Sequence, residues 1–298
     1  MAEDSAGQDT GTLDVRVEPL EPPEGGFQIV TPEYRVPPNS DHTWCYFGTY
    51  TGPAVGVDFY QWFQAAGYGH HLMVLDASKV VGFEDGAMFD CTDPVDAMDM
   101  PSLFAGTELL GEGEGRMVLP EDTAIRFPAN QRWAISTHYV NSSDRELLAQ
   151  DAVNIGIIAE DEVRVWAGSW SFNDSTFTLP AASSTQVEVV CEWPSDVNVH
   201  SMMGHMHNHG TSILVTYDHD GVSDEIYNLP AWDPAWTYEP QLVGFDEGQL
   251  TPKGGETFTT TCNFTNDTDA SVVFPQEMCV AAGLAWPIDT PISCDSGR

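Results

Sequence analysis

Apolar residues in this chain come in short runs of about four to eight residues, closed by Gly, Pro, Asn or Asp, and this pattern limits the fold more than any other feature. Val55–Tyr60, His71–Leu75, Trp133–Val140 and Val153–Ile158 are examples in the first half, Val187–Val190, Ser212–Tyr217 and Glu256–Cys262 in the second. They are rich in Val, Ile, Thr and aromatics, which is strand chemistry at the spacing of a β-sandwich. Sustained helical periodicity is nearly absent; Asp96–Leu110 has room for one short helix. Twenty Pro and 26 Gly fit many loops, and Asp218-His219-Asp220-Gly221 reads as a hairpin turn between two runs. The expected class is all-β. At 298 residues there is room for two ordinary domains or one large β domain. The acidic turn Ala159-Glu160-Asp161-Glu162 suggests a boundary. Residues 1–25, acidic and rich in Gly and Pro, read as a flexible tail. No internal repeat is visible at a fixed period.

Charge excludes whole classes of function. Ten basic residues against 46 acidic ones give −36, while charged residues are only 19% of the chain, so Lys and Arg are scarce rather than Asp and Glu abundant. A chain without a basic stripe binds neither nucleic acid nor an anionic lipid surface by charge. No apolar run approaches the ~18 residues of a membrane span. Six cysteines (Cys45, Cys91, Cys191, Cys262, Cys279, Cys294) without a CxxC argue against a zinc ribbon and for three disulfides in an oxidising compartment, with the pairing open. Met1–Asp9 has neither the basic start nor the apolar core of a signal peptide, so export implies a trimmed leader.

The nine histidines are unevenly placed. His205, His207 and His209 alternate in His200-Ser-Met-Met-Gly-His205-Met-His207-Asn-His209-Gly210. On a strand, residues two apart project from one face about 6.5–7 Å apart, close enough for two imidazoles to meet on one metal ion. His70 and His71 are adjacent and reach one ion only through a bulge. His138 stands alone in Ser136-Thr-His-Tyr139. His200, an odd number of positions before His205, faces away on a regular strand; His42 and His219 read as surface residues. HExxH and GxSxG are both absent, which removes the helical zinc-protease site and the hydrolase nucleophile elbow.

Taken together, His70-His71-Leu-Met, Thr137-His138-Tyr139, His205-Met-His207-Asn-His209-Gly210 and Gln276-Glu-Met278-Cys279 resemble, in order and spacing, the copper type II, ascorbate-dependent monooxygenases. That family includes peptidylglycine α-hydroxylating monooxygenase and dopamine β-monooxygenase. The resemblance implies two jelly-roll-like β-sandwiches in tandem, here residues 26–163 and 164–298, each carrying one copper. It implies an electron-transfer copper on His70, His71 and His138, and an oxygen-binding copper on His205, His207 and Met278, whose thioether suits Cu(I). It also implies the pairs Cys45–Cys91, Cys262–Cys279 and Cys191–Cys294.

Departures from the family bear on substrate. The Arg that holds a peptide carboxylate is replaced by Met203, and the Asn and Tyr after the methionine ligand by Val280 and Ala282; Ser136 replaces a Gln near the first site. A glycine-extended peptide is therefore not the expected substrate, and Met202, Met203, Ala281, Leu284 and Trp286 suggest an apolar rim. The expected protein is a secreted or otherwise extracytoplasmic monooxygenase that uses O₂, two coppers, a small-molecule or peptide substrate, and ascorbate or another one-electron donor. Ascorbate is itself an anion, so the charge of −36 repels it unless salt screens the field. The rival readings are a non-catalytic copper carrier, which needs no His70, His71 or His138, and a mononuclear zinc or iron enzyme, which has no use for Met278.

Overall fold

The structure is a computed structural model that describes residues 11–17, 21–91, 100, 102–107, 114–237 and 240–297, with backbone alone for His70 and 102–107. The fold is all-β, and no helix among the described residues is long and apolar enough to cross a membrane. Two compact units divide the chain: Met1–Leu119 with Phe127–Glu160, and Pro120–Arg126 with Asp161–Arg298. The break falls at 160/161 rather than 163/164, and 120–126 leaves the first unit. The cause is local: the Asp122 carbonyl accepts the N–H groups of Arg164 and Val165, and Thr123–Ile125 then pair in parallel with Val165–Ala167.

In chain order the first strands are β1 (Leu13–Asp14), β2 (Gly26–Val30), β3 (Tyr34–Val36), β4 (Ser40–Thr49), β5 (Val55–Phe63), β6 (Gly69–Asp76), β7 (Met88–Asp90), β8 (Ser102–Thr107), β9 (Glu114–Val118), β10 (Thr123–Phe127), β11 (Arg132–Asn141), β12 (Leu147–Ala149) and β13 (Ala152–Ala159). One sheet of the first unit runs β7-β4-β11-β6-β8; in the other, β13 pairs with β2 and β5, and β5 with β9. The expected helix within 96–110 is corrected: Ser102–Thr107 is a strand paired with β6, and 96–99, 101 and 108–110 lie outside the described residues. The expected tail is corrected as well. β1 pairs with β12, and Leu13 and Val15 pack on the cluster of Tyr34, Val36, Tyr139 and Leu147, because apolar Leu13, Val15 and Val17 alternate as a strand face should. Residues 1–10 and 18–20 lie outside the described residues.

The second unit holds β14 (Val165–Asn173), β15 (Thr178–Leu179), β16 (Ser183–Glu192), β17 (Asn198–His205), β18 (Gly210–His219), β19 (Val222–Leu229), β20 (Val243–Gly244), β21 (Thr257–Asn266), β22 (Val272–Val273), β23 (Val280–Trp286) and β24 (Ile292–Asp295). Sheet β16-β21-β18-β19 packs against a sheet in which β23 lies between β14 and β17. Strict alternation on β16 and β21 sends Val187, Val189, Phe258 and Phe264 inward, where Trp170, Phe172 and Trp193 meet Phe258 edge-on. Each such side chain contributes roughly 1.5–3 kcal/mol through burial. The expected hairpin between β18 and β19 turns at Asp220 and Gly221, with φ of 48° and 77°, the left-handed pair of a type I′ turn. Cys45–Cys91, Cys191–Cys294 and Cys262–Cys279 are bonded, the three pairs the resemblance implied.

One corner motif occurs separately in each unit. Asn141 Nδ2 donates to the carbonyls of Val36, Pro37 and Arg145 while its Oδ1 accepts from Ser143; Asn266 Nδ2 donates to Leu179, Pro180 and Ala270 while its Oδ1 accepts from Thr268. Asn39 and Ala182 take matching left-handed conformations, with φ of 49° and 48°, and Leu147 faces Val36 as Val272 faces Leu179. The repeat has no fixed period because the chain between Val36 and Asn141 is longer than that between Leu179 and Asn266.

Candidate metal centre

The first ligand set sits where β6 meets β11. His71 pairs with His138, but Tyr139 pairs with Gly69, so His70 is the extra residue of a bulge. This is the irregularity that adjacent histidines need in order to serve one site; the His70 side chain lies outside the described part of the structure. The rings of His71 and His138 are 4.8 Å apart between centroids. His138 is 1% exposed, and its Nε2 lies 2.5 Å from Asp41 Oδ1. With Nε2–H given to a carboxylate, Nδ1 is the lone-pair nitrogen, an arrangement that orients imidazole as a metal ligand.

Behind β11 lies a buried network. Asp151 accepts hydrogen bonds from Tyr139 at 2.5 Å, Thr137 at 2.6 Å, and Tyr34. Gln64 Nε2 bridges Thr137 Oγ1 and the His71 carbonyl, holding both strands of the site. Burial pushes the Asp151 carboxyl up to about 6 despite its three hydroxyl donors. Sequence reasoning missed Asp41, Gln64 and Asp151, which carry no local motif.

The corner motif supplies a comparison inside the molecule. At the same register and the same bulge in the second unit, Asn263 stands opposite Ser212, and the two form an ordinary 3.0 Å hydrogen bond. The His71–His138 pair is thus a particular of the first unit rather than a demand of the repeated fold.

In the second set the alternation of His205, His207 and His209 is not carried by one strand. β17 ends at His205, and Asn208 and His209 lie in a turn, so no three-histidine strand forms. His205 and His207 converge all the same, with their Nε2 atoms 3.0 Å apart. His207 Nδ1 lies 3.0 Å from the Gln276 carbonyl, which fixes Nδ1 as the protonated nitrogen and leaves the Nε2 lone pair facing His205. At the ~2.0–2.1 Å metal–nitrogen distance usual for imidazole, that separation corresponds to an angle of about 95° at one shared ion, so the pair fits two ligands of a single metal. Burial, and then the neighbouring His207, hold the His205 imidazole down to about 3, the neutral form a metal requires.

Met278 is half-buried just before β23. The pairing of β17 with β23 stops at His205 and Val280, and beyond it the backbones of His207 and Met278 are brought together by one shared acceptor, Glu277 Oε1. Glu277, fully buried, fastens this junction: its carboxylate accepts the N–H groups of His207, His209 (2.9 Å) and Met278 (3.1 Å). The Glu-Met-Cys spelling was legible in the sequence; the role of its acid was not.

The expected apolar rim is corrected. Met202 and Ala281 are wholly buried, and Leu284 and Trp286 nearly so; only Met203, opposite Ala282, is half-buried. The cause is a bulge at His200, after which the inward face of β17 passes from Val199 to Met202. His200 itself packs on the Trp286 ring. Met206 also belongs to the core. His42 is half-buried against Asp90. His219 lies at the β18–β19 hairpin beside Asp220 and Glu256, bonded to Asp224 and stacked on Tyr217.

No protein-family profile matches the chain, and no curated protein matches it. Among solved structures it is similar to the major capsid protein P2 from Bacteriophage PM2, at 8% identity over 89% of this chain and 98% of that one, with a TM-score of 0.35. It is also similar to the STIV MCP, at 7% identity over 87% and 97%, with a TM-score of 0.32. Likenesses this distant carry no argument about function.

Proposed function

We propose that this chain is a copper- and O₂-dependent monooxygenase that hydroxylates a substrate C–H bond outside the cytoplasm, using ascorbate or another one-electron donor. The observation that carries the reading is the convergence of the His205 and His207 Nε2 atoms, with the Met278 backbone tied to that of His207 through Glu277: two imidazoles and a thioether, a donor set suited to copper in both oxidation states. The second support is a separate set, His71 and His138 with the bulged His70, in the other unit. Bound copper supplies dioxygen activation and one-electron transfer.

The chain's own residues do the rest. Asp41 holds the His138 tautomer and the Gln276 carbonyl that of His207, so each imidazole presents its ligand nitrogen without reorganising. The Cys262–Cys279 bridge anchors the strand next to Met278. Met203 in place of a basic residue offers no partner for a substrate carboxylate, which favours a small apolar substrate over a glycine-extended peptide. In the overall balance one oxygen atom enters the substrate as hydroxyl and the other leaves as water, with two electrons and two protons from the donor. Three disulfides support an oxidising compartment.

A copper carrier would draw soft ligands from Met202, Met203 and Met206; Met202 and Met206 are sealed in the core, and Met203 is half-buried. Metal analysis together with O₂ consumption under ascorbate tests the reading. Two coppers per chain and substrate-dependent uptake support it; one tight zinc and no copper would sink it.

A further inference from the structure

Asp151 and Glu277 are the fully buried acids among the described residues, and they occupy related places, each between the corner motif of its own unit and the strand that follows it. Their surroundings differ. Asp151 is satisfied by three side-chain hydroxyls, any of which adapts to a neutral or charged carboxyl. Glu277 meets only backbone N–H groups, fixed donors that reward a carboxylate, and all three belong to the segments bearing the second ligand set. A buried carboxylate is costly unless a cation answers it. Among the described residues no Lys, Arg or His forms an ion pair with Glu277, and the rings of His205 and His207 turn their Nε2 atoms to each other.

We propose that Glu277 is the built-in counter-charge and positioning residue of a copper site at His205, His207 and Met278. Its Oε1 accepts the N–H groups of both His207 and Met278 and its Oε2 that of His209, which sets the relative placement of these backbones, and its charge is balanced by the cation those ligands hold. A neutral donor set plus one buried negative charge then favours a monovalent cation and gains further when that cation loses an electron. This rests on the copper reading of the second set.

The test uses the full chain in a His138→Ala background, which leaves the second set as the one remaining copper site, and Cu(I) and Cu(II) alone as probes. Glu277→Gln keeps one acceptor oxygen and removes the charge. Copper affinity is expected to fall about tenfold or more, as for other partners of metal ligands, with the larger loss for Cu(II). The copper potential rises accordingly. The pair Glu277→Asp and Glu277→Asn, equal in shape, repeats the comparison should Gln disturb folding: the Asp variant must hold copper more tightly than the Asn variant. Equal affinities within both pairs, in chains with three intact disulfides, overturn the proposal. A background chain that binds no copper, or that keeps it after His207→Ala, overturns the copper reading of the site and this inference with it.

Discussion

His207 Nε2 lies 3.0 Å from His205 Nε2 while its Nδ1 faces the Gln276 carbonyl, so one ring is fixed at one nitrogen and aimed at its neighbour with the other. Strand periodicity does not produce this, because β17 ends at His205. The Glu277 carboxylate does, by fastening the backbone of the turn that carries His207 to the segment that carries Met278.

Two ligand sets in two units imply two coppers per chain. His207→Ala should leave one copper after dialysis against a weak chelator, and His138→Ala should also leave one. Elemental analysis of both variants checks this; two coppers retained in either would show that the assigned residues are not the ligands.

Thioether donation should be specific to Met278. Met278→Ile is expected to lower Cu(I) affinity about tenfold or more, because it keeps the bulk and removes the sulfur. Met202→Leu and Met206→Leu, at buried positions, should leave Cu(I) affinity unchanged and alter only stability. X-ray absorption on the copper-loaded variants reads the sulfur directly; sulfur scattering that survives in Met278→Ile contradicts the assignment.

Much of this was legible before the structure. The strand runs, the hairpin at Asp220-Gly221 and the spacing of the histidines follow from side-chain period and turn chemistry, which are local. The corner built on Asn141 in one unit and on Asn266 in the other was not legible, because the partners are Val36 and Leu179, far away in the chain and at unequal distances. Asp41 reaches His138 from the neighbouring strand β4, a contact no short window contains. The misread rim has the same origin: one inserted residue at His200 reverses the inward face of β17, and the sequence gives no sign of that bulge.

The Cys262–Cys279 bridge closes a short loop, with a sequence separation of 17. Replacing both cysteines by Ala should cost about 3 kcal/mol in urea unfolding. Because Cys279 follows Met278, the same variant should bind copper at the second set more weakly, while copper at the first set is unaffected. Competition titration with a Cu(I) chelator separates the two; unchanged affinity at both sites would show that Met278 is held without the bridge.

Asp151 predicts a pH dependence of stability. Its folded pKa of about 6 lies above the ordinary aspartate value of 3.8, so the folded state binds its proton more tightly than the unfolded state does. The stabilisation is complete below pH 3.8 and is lost as pH rises through 6, about 3 kcal/mol in all. Asp151→Asn does not titrate. The unfolding free energy of wild type minus that of the variant should therefore fall between about pH 4 and 6 and level off above. A flat difference across that range would mean that the carboxyl is not raised.

Ascorbate-driven O₂ uptake by the copper-loaded chain, measured beside His138→Ala with a panel of benzylic and aliphatic substrates, tests the proposed activity most directly. Wild type should consume O₂ above the rate of free copper and form one hydroxylated product per O₂. His138→Ala, with the second set intact, should complete at most a partial first turnover and show no steady rate. No uptake above free copper with any substrate would contradict the monooxygenase reading, and a His138→Ala chain that turns over like wild type would contradict the two-site mechanism.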